Sequence, residues 1–262
     1  MIFAGRQLED DKTIIDSHFL KSHEARSVRI LAEYEKINSE LEKHKITSTL
    51  TFFGSARFLA RDEAEAALIK ARKKNKEVKL AEVDLENSKY YEEARALSFK
   101  LTKWANKKSK ERNEFVVATG AGPGIMEAAN RGANEAGGKT IGFGIRLPQE
   151  QVNNKYITSG LSFQFYYFFM RKLFLTYMAK ATIMFPGGIG TIDELSEIWT
   201  LKQTERIQSP MPIVLFGKSY WNKLINFNML VEKKVVSQEE LDMVYMSDSI
   251  EDTFNYLTKE IK

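Results

Sequence analysis

Phe185-Pro186-Gly187-Gly188-Ile189-Gly190-Thr191-Ile192-Asp193-Glu194 joins the apolar run Ala181–Phe185 to a segment with helical spacing that continues through Trp199. The first run reads as a buried parallel strand, and Thr191–Trp199 as the helix it feeds. Between them, Gly187, Gly188 and Gly190 let backbone N–H groups approach a ligand closely. The start of the following helix adds unpaired amides and the positive end of a dipole, a setting that favours a phosphate. Glu194 is then expected in the first helical turn, beside whatever carries that phosphate.

Two further turns have the same build. Thr49–Phe53 runs into Gly54-Ser55-Ala56-Arg57, and Phe115–Thr119 runs into Gly120-Ala121-Gly122-Pro123-Gly124-Ile125-Met126-Glu127. One glycine turn alone often marks nothing more than a tight strand-to-helix connection. Three of them, each at the carboxyl end of a parallel strand, converge on one crevice, the place where open α/β sheets bind ligands. The second turn is not a dinucleotide fingerprint, because Ile125 stands where G-x-G-x-x-G needs its last glycine. Glu127 is a second acid candidate, better explained as an early helix residue that complements the dipole.

Outside these turns the chain alternates strand and helix patterns. Lys139–Ile145, Leu161–Tyr166, Pro212–Phe216 and Met243–Met246 read as strands, the second of them with period-two alternation. Helices are expected over residues 24–44, from about Arg61 to Lys79, over Ser219–Glu232 and over Ile250–Ile261. In residues 24–44 the side chains Val28, Leu31, Tyr34, Ile37 and Leu41 share one face, which suits packing on the core or on a second subunit. A sharper use of that helix would send Arg26 and Arg29 to the crevice as anion contacts. Lys70–Lys76 reads as a solvated basic face. This alternation, without a repeat or linker, argues an α/β fold with a doubly wound, mostly parallel sheet and helices on both faces.

Composition narrows the chemistry. The chain has 262 residues, enough for one large α/β domain, and 39 Lys+Arg against 35 Asp+Glu give a net charge of +4, too mild to call for nucleic acid. There is no cysteine, which removes a disulfide framework, a thiolate zinc site and a Cys nucleophile. Met1–Arg6 lacks the basic and apolar regions of a signal peptide, and no run of 18 apolar residues exists, so a cytoplasmic protein with no membrane contact is expected. His18, His23 and His44 all precede the first strand, so proton transfer in the crevice falls to carboxylates. A Ser-His-Asp hydrolase lacks both a nearby base and a G-x-S-x-G elbow. Within Tyr167–Leu175 the aromatics suit core or subunit interface better than base stacking, whereas Arg171 and Lys172 are charges that need partners in an apolar helix.

The combination Pro186-Gly187-Gly188-x-Gly190-Thr191-x-x-Glu194, preceded by Met170-Arg171-Lys172, resembles the Lonely Guy (LOG) family of nucleoside 5′-monophosphate phosphoribohydrolases. Gly54-Ser55-Ala56-Arg57 is similar to that family's first glycine-serine turn, and Gly120–Glu127 to its second. The longer N-terminal segment and the Lys-rich insertion between these turns resemble the family's larger bacterial branch, formerly labelled lysine decarboxylase-like. That label would need a pyridoxal Schiff-base lysine, which nothing in the sequence identifies. The resemblance implies a Rossmann-like catalytic domain over residues 47–262 after an N-terminal helical extension, 1–46. It implies Arg171 and Glu194 as the catalytic pair, with Gly187, Gly188, Gly190 and Thr191 holding phosphate. Gly54, Ser55, Gly122, Met170 and Lys172 would complete the phosphate and ribose site. Also implied are hydrolysis of AMP or a cytokinin riboside monophosphate without metal or cofactor, and a homodimer or higher homo-oligomer with Tyr167–Phe174 near its interface. A non-catalytic nucleotide-binding or carrier protein is the alternative use of the same turns; a nicotinamide-dependent oxidoreductase fits less well, given the broken fingerprint.

Overall fold

Short runs of Val, Ile, Phe, Thr and Ala become strands buried almost throughout, as a sheet covered on both faces requires. A computed structural model of the chain describes residues 16–108, 113–146, 153–207 and 210–261. Among them, β1 (Thr49–Phe53), β2 (Val116–Thr119), β3 (Thr140–Ile145), β4 (Ser162–Phe165), β5 (Ala179–Met184), β6 (Ile213–Phe216) and β7 (Val244–Ser247) form one sheet. Its order is β4-β3-β2-β1-β5-β6-β7, and every pairing is parallel. The chain therefore winds outward from β1 to β4, then returns to the other side of β1 and winds outward again. Strand order reverses between β1 and β5, so the loops leaving their carboxyl ends part and open a crevice there. The doubly wound α/β reading holds, with a wholly parallel sheet. On edge strand β4, Ser162 and Gln164 are exposed while Phe163 and Phe165 are buried, the alternation read from sequence.

Helices alternate with these strands along the chain. In chain order they are α1 (Ser17–Lys21), α2 (Arg26–Lys43), α3 (Arg61–Lys74), α4 (Val78–Lys108), α5 (Ile125–Glu135), α6 (Phe168–Tyr177) and α7 (Ile189–Gln203). After these come α8 (Lys218–Leu224), α9 (Phe227–Glu232), α10 (Gln238–Leu241) and α11 (Ile250–Glu260). The core sits between sheet and helices: Phe185 lies between Phe52 and Phe216 at ring-centroid distances of 6.3 and 4.6 Å, and Leu97 and Leu101 of α4 join the same cluster.

Three boundaries differ from the sequence reading. A helix expected to end near Lys79 ends at Lys74, where Asn75 adopts the left-handed conformation, and the 31-residue α4 follows. Ser219–Glu232 is two helices, because Ile225 is extended and the Asn226 side chain accepts from Met229 N to start α9. Finally, α7 begins two residues before Thr191: Gly188 is the extended cap residue, so Ile189 and Gly190 are already helical.

The chain falls into two compact units, one ending at Ser39 and the other beginning at Glu40. The sheet belongs to the second. In the first, Asp16 caps α1 by accepting from His18 N and Phe19 N, and Arg29 Nη1 donates to Leu20 O and Ser22 O at 2.8 and 2.5 Å. Arg29 is thus tied to the loop between α1 and α2. On α2, Val28 and Leu31 are exposed and Ile37 is buried, so only part of the expected apolar face is covered.

Candidate functional site

The three glycine turns meet at the switch point. Ser55 N donates to Pro186 O at 2.9 Å, and Ile125 N donates to Ser55 O at 3.0 Å, so the turn after β1 is bonded to both others. Close packing explains why two of the glycines stand there. A Cβ on Gly54 would lie 2.8 Å from three carbons of Ile125, and one on Gly187 would fall on the Thr191 side chain and within 3.0 Å of the Gly54 backbone. Both distances are shorter than packed carbons tolerate. In the second turn Ala121 holds a φ of +69°, an unusual conformation for a residue with a side chain, and it is fastened by Ala121 N to Thr119 Oγ1 and by Asn154 N and Nδ2 to Ala121 O.

Above these turns lies a cleft of about 710 Å³. Gly54, Ser55, Arg171, Gly187, Gly188, Gly190, Thr191 and Glu194 all line it. Gly122 lies in an adjoining hollow of about 210 Å³ that shares Gly120, Met126, Phe168 and Arg171 with the cleft. Met170 and Lys172 line neither. Met170 is buried, and Lys172 turns to α7, where its Nζ bonds Asp193 Oδ2 at 2.7 Å and pairs with Glu197 Oε2 at 2.5 Å. Burial works against the Lys172 charge, but these two carboxylates outweigh it and hold its pKa above the ordinary lysine value.

The helix end that faces the cleft is open. Thr191 N and Ile192 N return to Gly188 O at 3.0 and 3.2 Å, while no carbonyl among the described residues accepts from Ile189 N or Gly190 N. Such orphan amides, together with the dipole, form a seat for an anion. Ser55 Oγ accepts from Arg57 N at 3.1 Å, which turns the loop and leaves the hydroxyl proton available. Tyr220 of α8 donates its hydroxyl to Gly187 O at 2.5 Å and steadies the loop from below.

Glu194 is the unusual group. Because α7 starts at Ile189, it lies in the second turn rather than the first, and there it is 6% exposed. Its Oε2 is enclosed and has no hydrogen-bond partner among the described residues. Burial pushes its pKa up to about 7; Lys172 and Arg171 oppose that rise, and Glu197 and Asp193 add to it. A carboxyl held near neutrality takes or gives a proton at working pH. Arg171 reaches across from α6, with Nε donating to Phe143 O at 2.8 Å and Nη2 to Gly120 O at 3.4 Å. Burial lowers its pKa and Glu194 raises it, so the two side chains feel each other as opposite charges. Those two carbonyl bonds use part of the guanidinium's five donors and leave the rest for the cleft.

Glu127 lies outside the cleft lining and accepts from the Tyr91 hydroxyl at 2.9 Å on the first turn of α5. Sequence reasoning did not single out Asn87, Arg57, Phe168, Asp193 or Tyr220, all of which line the cleft. Asp193 was in the quoted motif, and its adjacency to Glu194 was the available signal. Asn87 sits on α4, a helix with no sequence signature of its own.

Fold and cleft together define a doubly wound α/β protein with an open helix end and a buried carboxyl at its topological switch point. Residues 126–257, about half of the chain, match the family model described as "Possible lysine decarboxylase", and the chain belongs to that family, in agreement with its Lonely Guy resemblance. The match takes in Met170-Arg171-Lys172 and the third turn; the first two turns lie before it. No curated protein matches the chain. Among solved structures it is similar to the structural-genomics target TM1055, with 22% identity over 63% of this chain and 87% of that one at a TM-score of 0.43. A molybdenum cofactor binding protein from the phototrophic bacterium Rippkaea orientalis shows 17% identity over 65% and 89%, at 0.43. The molybdenum cofactor carrier protein of Chlamydomonas reinhardtii shows 15% identity over 81% and 96%, at 0.44.

Proposed function

We propose that this protein hydrolyses the N-glycosidic bond of nucleoside 5′-monophosphates, AMP by default and cytokinin riboside monophosphates as a variant, releasing free base and ribose 5-phosphate. The observation that carries the reading is the buried carboxyl of Glu194, poised near neutral pH beside Arg171 and one turn below the open end of α7. Cleavage of such a bond develops positive charge on the ribose, and a carboxylate near the anomeric carbon stabilises that charge and deprotonates the attacking water. Glu194 takes this role. The amides of Ile189 and Gly190, with the Thr191 and Ser55 hydroxyls, hold the phosphate and so fix the ribose over Glu194. Arg171 balances the carboxylate and contacts phosphate or base.

Two further features belong to this proposal. Tyr166, Phe168, Phe169, Leu173 and Tyr177 form an exposed apolar face along α6 and its entry, which suits a homodimer whose interface adjoins the cleft. None of the helices among the described residues is long and apolar enough to cross a membrane; a cytoplasmic site of action is part of the proposal.

The test is incubation of the purified protein with AMP or adenosine, without added cofactor, followed by assay of free adenine. AMP should be cleaved and adenosine should react poorly, because the loop acts through the phosphate. Equal rates would remove the loop from the mechanism, and AMP binding without adenine release would leave the cleft to a carrier.

A further inference from the structure

Three carboxylates, Asp193, Glu194 and Glu197, lie within five consecutive residues of α7, and spacing by three or four puts Glu194 and Glu197, and Asp193 and Glu197, on neighbouring positions of one face. Like charges this close suppress one another's ionisation. One cation contacts the outer two. Lys172, whose side chain is 14% exposed, bonds Asp193 at 2.7 Å and pairs with Glu197 at 2.5 Å. The carboxylate between them has its Oε2 enclosed and unpartnered. The charges facing Glu194 are Arg171 and Lys172 from α6 and Asp193 and Glu197 from α7, and of the two cations Lys172 has the larger effect.

We propose that Lys172 is a positioning residue for Glu194: by holding Asp193 and Glu197 it keeps their charges from blocking ionisation of the buried carboxylate that lies between them. This reassigns a lysine which motif reading places on the substrate phosphate. Its ammonium is committed to two carboxylates and lies outside the cleft lining, while the amides of Ile189 and Gly190 are open to the anion. The inference rests on the reading of Glu194 as the general base.

Steady-state kinetics with AMP across pH 5.5–9.5, on the parent, Lys172→Met, Lys172→Gln and Lys172→Arg, separate the two roles. If Lys172 acts through Glu194, the acid limb of kcat moves up by about one unit or more in the two neutral variants. Turnover at pH 7 then falls about fivefold or more, since a carboxyl at about 7 is half ionised there and one a unit higher only about a tenth ionised, and it recovers by pH 9. KM stays within about twofold, and Lys172→Arg restores the parent profile. An unmoved limb with a raised KM would overturn the proposal and return Lys172 to the phosphate. Thermal melts at pH 8 decide the point without turnover. Glu194→Gln should raise Tm more in the Lys172→Met or Lys172→Gln background than in the parent, because the uncompensated charge it removes is worse there; an equal rise in every background overturns the coupling. A protein that cleaves no nucleotide would retire Glu194 as a base, while the melts still report whether Lys172 and Glu194 are coupled.

Discussion

Replacing Glu194 by Gln should stabilise the protein, and the gain should depend on pH. The side chain is 6% exposed, and burial raises its pKa from 4.5 to about 7. A carboxyl whose folded pKa lies above its unfolded one binds more protons in the folded state between those values. Stability therefore falls as pH rises from about 4.5 through 7, and the full penalty applies above 7. A shift of this size corresponds to about 3 kcal/mol at most, at 1.36 kcal/mol per unit. Gln keeps the shape and carries no charge, so Glu194→Gln should recover much of that amount at pH 8.5. For a chain of this size it should appear as a Tm increase of roughly 5–10 °C. At pH 4.5, where the native Glu194 is protonated, the two proteins should melt within about 1–2 °C of each other, a ΔΔG of about 0.5 kcal/mol. Differential scanning calorimetry at both pH values reads the effect. A Tm change of the same size at both, or none at pH 8.5, would refute the argument that a buried charge sits at this position.

Thr191→Ala removes a hydroxyl that lines the cleft beside Gly187. It should weaken AMP binding by about 1.5–3 kcal/mol in calorimetry, the range for one hydrogen bond to a charged acceptor, with a smaller effect on turnover of bound substrate. Gly54→Ala drives a methyl group to 2.8 Å from Ile125 and should cost about 1–3 kcal/mol in denaturant unfolding, as overpacking does; Gly188→Ala, where a Cβ meets nothing within 4 Å, is the control. The exposed face of α6 should mediate self-association. Light scattering at micromolar concentration should show at least a dimer, and Phe169→Asp should shift it toward monomer.

Much of this architecture was legible because strand burial writes itself into composition. β1, Thr49–Phe53, coincides with the run read from sequence, and the glycine turns mark where each of three strands ends. By contrast α4 was not legible. It buries small and polar residues, Ala81, Ser88, Ala94, Ser98, Thr102 and Ala105, beside a few large ones, so no apolar stripe stands out. The break before it uses Asn75 and Glu77 at positive φ, without the glycine or proline that announces a turn. The motif pointed to Glu194, but its setting depends on a helix that starts two residues early and on the side chains of Arg171 and Lys172 reaching toward it from α6, neither of which spacing reveals. Lys172 illustrates the same limit. A charge inside an apolar helix signals the need for a partner, and only the fold, which brings the Lys172 ammonium to α7, identifies that partner as Asp193 and Glu197.

The most direct test pairs calorimetric AMP binding with a free-adenine assay on parent and Glu194→Gln. If Glu194 is the general base, AMP still binds the variant, at least as tightly because a negative group near the phosphate is gone, while adenine release falls by roughly two to four orders of magnitude. Undiminished adenine release by Glu194→Gln would contradict the central claim and remove the carboxylate from the reaction.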